Sequence, residues 1–327
     1  MGEAGCDRVN GPFIDLGVNA GMKPICPDDL LPAEAPRRPL ISRRELLLGG
    51  LGLTALGGGT AAGYAGAEAA WMLDITRYRF TPRDWPAGQR LTISVIADIH
   101  AGGPNMGLQR IRDVVDAANA LRSDIVLLLG DFVATHRFVT ELVPSAVWAA
   151  ELARLKAPLG VHAILGNHDW WFHLSEIRLA LARAKIPVME NDAVLLGEAG
   201  ARFWLAGLGD QIAFPLGRGR FRGVDDLPGT MAKITTGDPV VLMVHEPDIF
   251  TQVPDRVALT LAGHTHGGQI RMPLIWPAFV PSAYGARFAY GHIVDGGRNL
   301  IVSGGLGTSF VPVRIGVPPE IVHVELG

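Results

Sequence analysis

The chain has 327 residues, 48% of them hydrophobic and 19% charged, with 41 glycines, 23 prolines and a net charge of −3. That length and apolar content exclude a disordered charged tail and a disulfide-stapled mini-domain, and they allow one large or two small domains around a sizeable core. The near balance of 29 basic and 32 acidic residues gives no global electrostatic reason to bind nucleic acid.

Residues 1–40 mix Gly, Pro and charge without sustained periodicity and read as a disordered extension. Both cysteines, Cys6 and Cys26, lie there. The patterned remainder therefore has no disulfide, thiolate cluster or cysteine nucleophile of its own. Residues 41–69 read as a signal segment: Ser42-Arg43-Arg44-Glu45, an uncharged stretch Leu46–Ala67 rich in Leu, Ala and Gly, and a candidate cleavage site at Ala67-Glu68-Ala69. Paired arginines, a weakly apolar run and an A-x-A site look like a twin-arginine export signal. The expected partner is then the twin-arginine export machinery, and the expected address is periplasmic or membrane-associated, outside the cytoplasm. A retained membrane anchor is the competing reading, although eight glycines among the 22 residues of Leu46–Ala67 suit a lipid-spanning helix poorly. An accidental arginine pair in a flexible leader is the third, and Arg37-Arg38 shows that such pairs occur here. A true start downstream, for instance at Met22, would shorten the stretch ahead of the arginines.

Residues 70–327 read as one domain. Leu91–Ala97 is a short, β-branched apolar strand. Met106–Leu121 carries Leu108, Ile111, Val114, Val115, Ala118 and Leu121 on one stripe, which predicts an amphipathic helix. Strands at Ile125–Leu129 and Val161–Leu165 alternate with helices at Pro144–Leu155 and Leu174–Lys185, the spacing of βαβ units. The second half predicts strands at Arg202–Leu208, Val240–His245 and Val257–Ala262. A long loop runs over Phe214–Gly237, and a Pro-rich excursion (Pro273–Pro281) precedes short strands to Leu326. The expected class is α/β with a strand-rich second half and helices packed outside.

The polar residues fall where these strands end: Asp98-Ile99-His100, Gly130-Asp131, Gly166-Asn167-His168-Asp169, His245-Glu246 and Gly263-His264-Thr265-His266-Gly267-Gly268-Gln269. In an open α/β sheet ligands bind beyond the carboxyl ends of the strands, so these five groups converge although they are far apart in sequence. Oxygen and imidazole donors without sulfur suit Zn, Fe or Mn. There are too many for one ion and enough for two sharing a carboxylate, the arrangement that clamps both oxygens of a phosphoryl displacement. Asp98 and His100, two apart in extended chain, should point the same way, as should His264 and His266.

The blocks D-x-H, G-D, G-N-H-D, H and G-H-x-H, in that order over residues 98–266, resemble the calcineurin-like metallophosphoesterases. The tail Gly304-Gly305-Leu306-Gly307-Thr308-Ser309 with Pro312-Val313-Arg314 is similar to the family's exported or membrane-associated bacterial phosphodiesterases. The resemblance implies two packed mostly-β layers flanked by helices, with a dinuclear metal site at the strand C-terminal ends. It implies that Asp98, His100 and His266 hold one ion, that Asn167, His245 and His264 hold the other, and that Asp131 bridges them. A metal-bridging hydroxide would attack phosphorus in line. The Asn167 amide would help stabilise charge, and His168 would protonate the leaving oxygen. Some members carry a second acidic residue three positions after the bridging Asp; here that position is Ala134.

The expected function is thus a metal-dependent phosphodiesterase of the cell envelope, acting on a phosphoester, with lipid-linked substrates and a membrane surface as candidate partners. A non-catalytic metal-binding scaffold on the same fold and a nuclease are the alternatives. Asp210, Gln269 and Arg314 are candidate substrate contacts near strand ends or the His loop. Asp169 is expected to cap a helix or support its loop, and Glu246 with Pro247 to start a helix. Trp170 and Trp171 either wall the pocket or pack. Arg218, Arg220 and Arg222 face an anionic substrate, anionic lipid headgroups or plain solvent. His136, His162, His173, His292 and His323 fit no block and read as structural.

Overall fold

A computed structural model of the chain describes residues 65–66, 68–271 and 280–327. The expected extension over residues 1–40, the Arg43-Arg44 pair with most of the signal segment, and residues 272–279 of the Pro-rich excursion lie outside the described residues. Among the described residues no helix is long and apolar enough to cross a membrane.

The first sheet takes β1 (Asp74–Phe80), β2 (Leu91–Ile96), β3 (Ile125–Leu128), β4 (Val161–Ala163) and, from the far end of the chain, β13 (Glu320–Leu326). Its order is β1-β13-β2-β3-β4. Strands β2, β3 and β4 run parallel, as the βαβ spacing requires, and β13 closes antiparallel on β2. The second sheet is built from β5 (Asp192–Leu196), β6 (Phe203–Gly207), β9 (Val240–Met243), β10 (Val257–Ala262), β11 (Gly291–Asp295) and β12 (Arg298–Val302). Its order is β11-β12-β10-β9-β6-β5, with β6, β9, β10 and β12 parallel.

The period of two along each strand decides which layer a side chain enters. Ile93, Val95, Ile125 and Leu127 of the first sheet meet Leu205, Val241, Met243, Leu259 and Leu261 of the second in one core between the sheets. Val126 and Leu128, on the opposite face, pack under the helices α1 (Leu108–Ala120), α2 (Ser145–Leu152) and α4 (Leu174–Arg183). Helix α1 presents Ile111, Val114, Val115 and Ala118 inward, the stripe its sequence predicts. Val240, Leu242 and Val244 face the outer side of the second sheet with Ile249, Phe250 and Phe288. Each fully buried Leu, Ile or Val contributes about 1.5–3 kcal/mol, and the alternation leaves no strand face of β3, β9 or β10 in water. The result is two packed β layers flanked by helices, the expected class.

Phe214–Gly237 is not a plain loop. It holds a two-stranded hairpin, β7 (Phe214–Gly217) with β8 (Arg220–Arg222), and a short helix α5 (Leu227–Ala232). The strands of that hairpin are short and exposed, and α5 contains Pro228 and Gly229, so neither leaves a periodic apolar signature. The edge strands β1 and β5 are likewise absent from the sequence reading, because neither has a fully buried face.

The packed region extends ahead of residue 70. Glu68 is buried, and its carboxylate accepts the backbone N–H of Gly316 at 3.1 Å and of Val317 at 2.9 Å. The Ala65 carbonyl accepts from Arg314 N at 3.2 Å.

Candidate metal centre

Five parallel strands deliver the site. Asp98 and His100 follow β2, Asp131 follows β3, Asn167 and His168 open the short helix α3 (Asn167–Trp171) after β4, His245 follows β9, and His264 and His266 follow β10. All seven expected metal ligands converge there, and six are buried, with His264 partly so.

They do not converge by strand alternation. Asp98, His100, Asp131, His264 and His266 have φ of 52°, 44°, 54°, 70° and 51°. The chain past β2, β3 and β10 is therefore kinked into the left-handed region, not extended, which corrects the expectation for the Asp98/His100 and His264/His266 pairs. Asp and His tolerate this region better than branched residues do, so the ligand types suit the backbone as well as the chemistry.

Each carboxylate has two tasks. Asp98 Oδ1 accepts His264 N–H at 2.9 Å, and its Oδ2 has no hydrogen-bond partner. Asp131 Oδ1 accepts His168 N–H at 2.9 Å, while its Oδ2 lies 3.6 Å from His100 Nε2 and 3.2 Å from His245 Nε2. The imidazoles are oriented from behind. His100 Nδ1–H donates to the Val133 carbonyl at 3.0 Å and His245 Nδ1–H to the Leu129 carbonyl at 2.7 Å, which turns each Nε2 inward. Asn167 Oδ1 lies 2.9 Å from His264 Nδ1. Possible ligand atoms lie within 4.8 Å of one another in the sets Asp98/His100/His266 and Asp131/His245/His264, and also in His100/Asp131/His168.

Burial pulls His100 down to about 3 and also lowers His264 and His266, so these rings are set as neutral donors. Burial pushes Asp131 up, but the charges of His245 and His168 outweigh it and hold the carboxyl well below the usual range. A buried anion, inward imidazole lone pairs and the orphaned Asp98 Oδ2 are costly unless a cation joins them. The donor set therefore fits bound metal ions. Glycine makes room at two points. A Cβ on Gly166 would sit 2.4 Å from Asp131 Oδ1, and one on Gly305 would sit 2.8 Å from Asp98 Oδ2.

Asp169 supports the loop, as its position suggests. Fully buried, its carboxylate accepts N–H groups from Asp131 and Phe132 at 2.8 Å each and from Gly166 at 3.0 Å. Glu246 precedes a 3₁₀ turn at Pro247–Gln252 and accepts from Gln211. Of the tryptophans, Trp171 lies beside the His168 ring at 5.3 Å, while Trp170 meets Phe214 edge-on at 5.4 Å.

The three candidate substrate contacts are placed differently from the ligands. Gln269 donates to the Val311 and Val313 carbonyls and accepts from Ser309 N, so its amide is engaged in shaping that loop. Arg314 is fully buried. Its Nε donates to the Gly307 carbonyl and its Nη1 to the Val317 carbonyl, each at 3.0 Å, and its Nη2 lies 3.2 Å from His266 Nδ1. Asp210 is buried, holds Ile212 N–H at 2.9 Å, and is pushed up by burial and by Glu246. All three brace the walls of the site from inside. Sequence reading did not single out two other neighbours of His168. Thr135 Oγ1 hydrogen-bonds its Nδ1, and Ser309 Oγ lies 3.4 Å from its Nε2. Ser309 belongs to the Gly-Gly-Leu-Gly-Thr-Ser tail and had that signal; Thr135 had none.

Residues 91–268 match the family model for calcineurin-like phosphoesterases. An uncharacterized metallophosphoesterase of Bacillus subtilis, YkuE, is 30% identical over 88% of this chain and 98% of its own length. The phosphodiesterase YaeI of Escherichia coli is 30% identical over 72% of this chain and 81% of its own. A dimetal phosphatase from Danio rerio of known structure is 15% identical, with a TM-score of 0.38 over 66% of this chain and 88% of its own.

Proposed function

Because this chain belongs to the calcineurin-like phosphoesterase family and is thus a hydrolase of phosphoester bonds, we propose that it is a dinuclear phosphodiesterase exported to the cell envelope. The observation that carries the dinuclear reading is the Asp131 carboxylate, whose Oδ2 faces His100 Nε2 on one side and His245 Nε2 on the other. Asp98, His100 and His266 would hold one ion; Asn167, His245 and His264 would hold the second. Bound there, two ions of Mn, Fe or Zn would supply Lewis acidity, activating water and neutralising charge on the phosphoryl oxygens.

The chain's own residues do the rest. His168 stands at the N-terminus of α3 with Nδ1 engaged by Thr135 and Nε2 toward Ser309. In the protonated ring Nδ1–H is held and Nε2–H is the proton available to a leaving alkoxide. The Asn167 amide sits against His264, where its free N–H₂ can donate to a phosphoryl oxygen. Trp171 closes one side of His168 and limits water there. The diester preference is supported by the phosphodiesterase name of the E. coli relative. Export rests on the Arg43-Arg44 segment. A scaffold that had lost its chemistry would be expected to lack ligands, and none is missing.

The test uses the whole chain, since Glu68 is packed into the domain. Metal content and hydrolysis of a chromogenic diester beside its monoester are measured after chelation and re-addition of each metal, with Asp131→Asn alongside. Two ions per chain and a diester activity lost in Asp131→Asn are the expected results. Two bound ions with no turnover of either ester would refute the enzymatic reading.

A further inference from the structure

The hairpin β7–β8 pairs with no other sheet. It carries Arg218, Arg220 and Arg222, all exposed, and no acidic residue between Phe214 and Arg222. None of the three guanidinium groups has a carboxylate within salt-bridge distance among the described residues; Arg222 instead lies over the Phe214 ring at 4.7 Å. Two large apolar side chains share this basic ribbon. Leu216, in β7, is 54% exposed, and Phe221, in β8, is 41% exposed. The hairpin is not remote from the chemistry. Phe221 stacks on Trp171 with centroids 6.0 Å apart, and Trp171 lies 5.3 Å from His168. One aromatic ring therefore separates the hairpin from the proton donor.

We propose that this hairpin docks the enzyme on an anionic lipid surface and presents membrane-borne phosphoesters to the His168 side of the centre. Exposed arginines without internal partners complement anionic headgroups, and exposed Leu and Phe beside them can enter the headgroup–acyl boundary. A nucleic-acid backbone would satisfy the arginines and leave Leu216 in water, so the mixed composition favours lipid. The choice of membrane-borne substrate rests on the phosphodiesterase reading above; the docking itself does not.

The experiment measures sedimentation of the metal-loaded full chain with vesicles of phosphatidylcholine alone or with phosphatidylglycerol added. The variants are Arg218→Gln/Arg220→Gln/Arg222→Gln together and Leu216→Ser alone. A short DNA duplex serves as a competing ligand, and hydrolysis of a soluble diester is followed in parallel. Any contribution of the N-terminal segment is common to all forms. The expected result is binding only to anionic vesicles, weakened roughly a hundredfold in the triple variant and about tenfold in Leu216→Ser, with soluble-diester turnover unchanged. Anionic-vesicle binding equal in all forms would overturn the proposal, as would DNA binding that needs the arginines and ignores Leu216. Absent diester turnover in every form, with vesicle binding still dependent on the hairpin, would refute the catalytic reading and leave the docking standing.

Discussion

Asp169 offers the sharpest test of how the centre is held. Its carboxylate joins two strand ends: Oδ2 accepts from Asp131 N and Gly166 N, and Oδ1 accepts from Phe132 N. Burial and the neighbouring Asp131 charge push this carboxyl up to about 7, with the N–H donors of Gly166 and Phe132 pulling the other way. All three hydrogen-bond partners are donors, so the geometry calls for the carboxylate. Asp169→Asn separates the two pictures. An amide placed with its oxygen at Oδ2 sets its N–H₂ against the Phe132 N–H, leaving a buried donor facing a donor. An orphaned buried donor costs about 1–3 kcal/mol, and the lost charge assistance at the other two bonds about 1 kcal/mol more. Asp169→Asn should therefore lower stability by roughly 3 kcal/mol, and Asp169→Ala, which orphans all three donors, by about 5 kcal/mol. Because Asp131 and Asn167 flank the broken bonds, metal affinity should fall with stability. Urea unfolding with and without metal, beside calorimetric metal titration, reads both. A neutral acid at this position would make the Asn variant nearly silent, so an unchanged urea midpoint and unchanged metal affinity would refute the reasoning.

Thr135 fixes Nδ1 of His168. Thr135→Val should cut kcat about 10–100-fold on an alkyl diester, whose leaving group needs a proton, and far less on a nitrophenyl diester. Thr135→Ser should restore it, and an equal loss on both esters would contradict the orienting role. At alkaline pH the burial of Tyr78 and the nearby Glu320 charge push that phenol up to about 12, and Tyr290, bonded to Glu320, is raised as well. A raised phenol is neutral in the fold and ionised sooner in the unfolded chain. Stability is therefore complete below about pH 10 and declines toward pH 12. Melting temperature against pH should show that decline, and Glu320→Gln should move the late phenolate absorbance step to lower pH. All four tyrosines titrating together near pH 10 would be incompatible with this placement.

The convergence of the candidate ligands was legible because two independent signals coincide at these strand ends. An apolar run short enough to be a buried strand stops, and a residue with a metal-binding atom follows at once. Physics demands the first for the core and the second for the chemistry, so both leave a mark in composition. The parts that went unread lack one or both signals. Strands β1 and β5 lie at sheet edges, and neither has a fully buried face. Helix α3 is five residues long, too short to repeat an apolar stripe. Gln269 follows His266 closely in sequence and Arg314 lies in the tail beyond the Gly-rich stretch, but the side chains of both hydrogen-bond into the loop backbone, and side-chain direction after a kink has no linear code. Thr135 acts through a single hydrogen bond that any hydroxyl could make.

The kinks themselves explain why so much supporting structure surrounds the seven candidate ligands. Five of these residues adopt positive φ, and at roughly 1 kcal/mol each they draw on about 5 kcal/mol, on the order of a domain's whole net stability. An isolated strand end would relax. Here most of the kinks are braced from a neighbouring strand end: His264 N–H by Asp98 and Asp131 N–H by Asp169, with His168 N–H beside them held by Asp131. The Asp98 carbonyl is held by Gly307 N–H at 2.7 Å and the Asp131 carbonyl by His100 N–H at 2.9 Å. The carboxylates that face the metal positions are thus also the fasteners of the backbone that aims the imidazoles. Replacing Asp98 or Asp131 removes a ligand and a brace together, whereas replacing His100 or His245 removes a ligand and leaves the carboxylate braces in place. Histidine variants should therefore keep the apo-fold and lose metal, and aspartate variants should lose both.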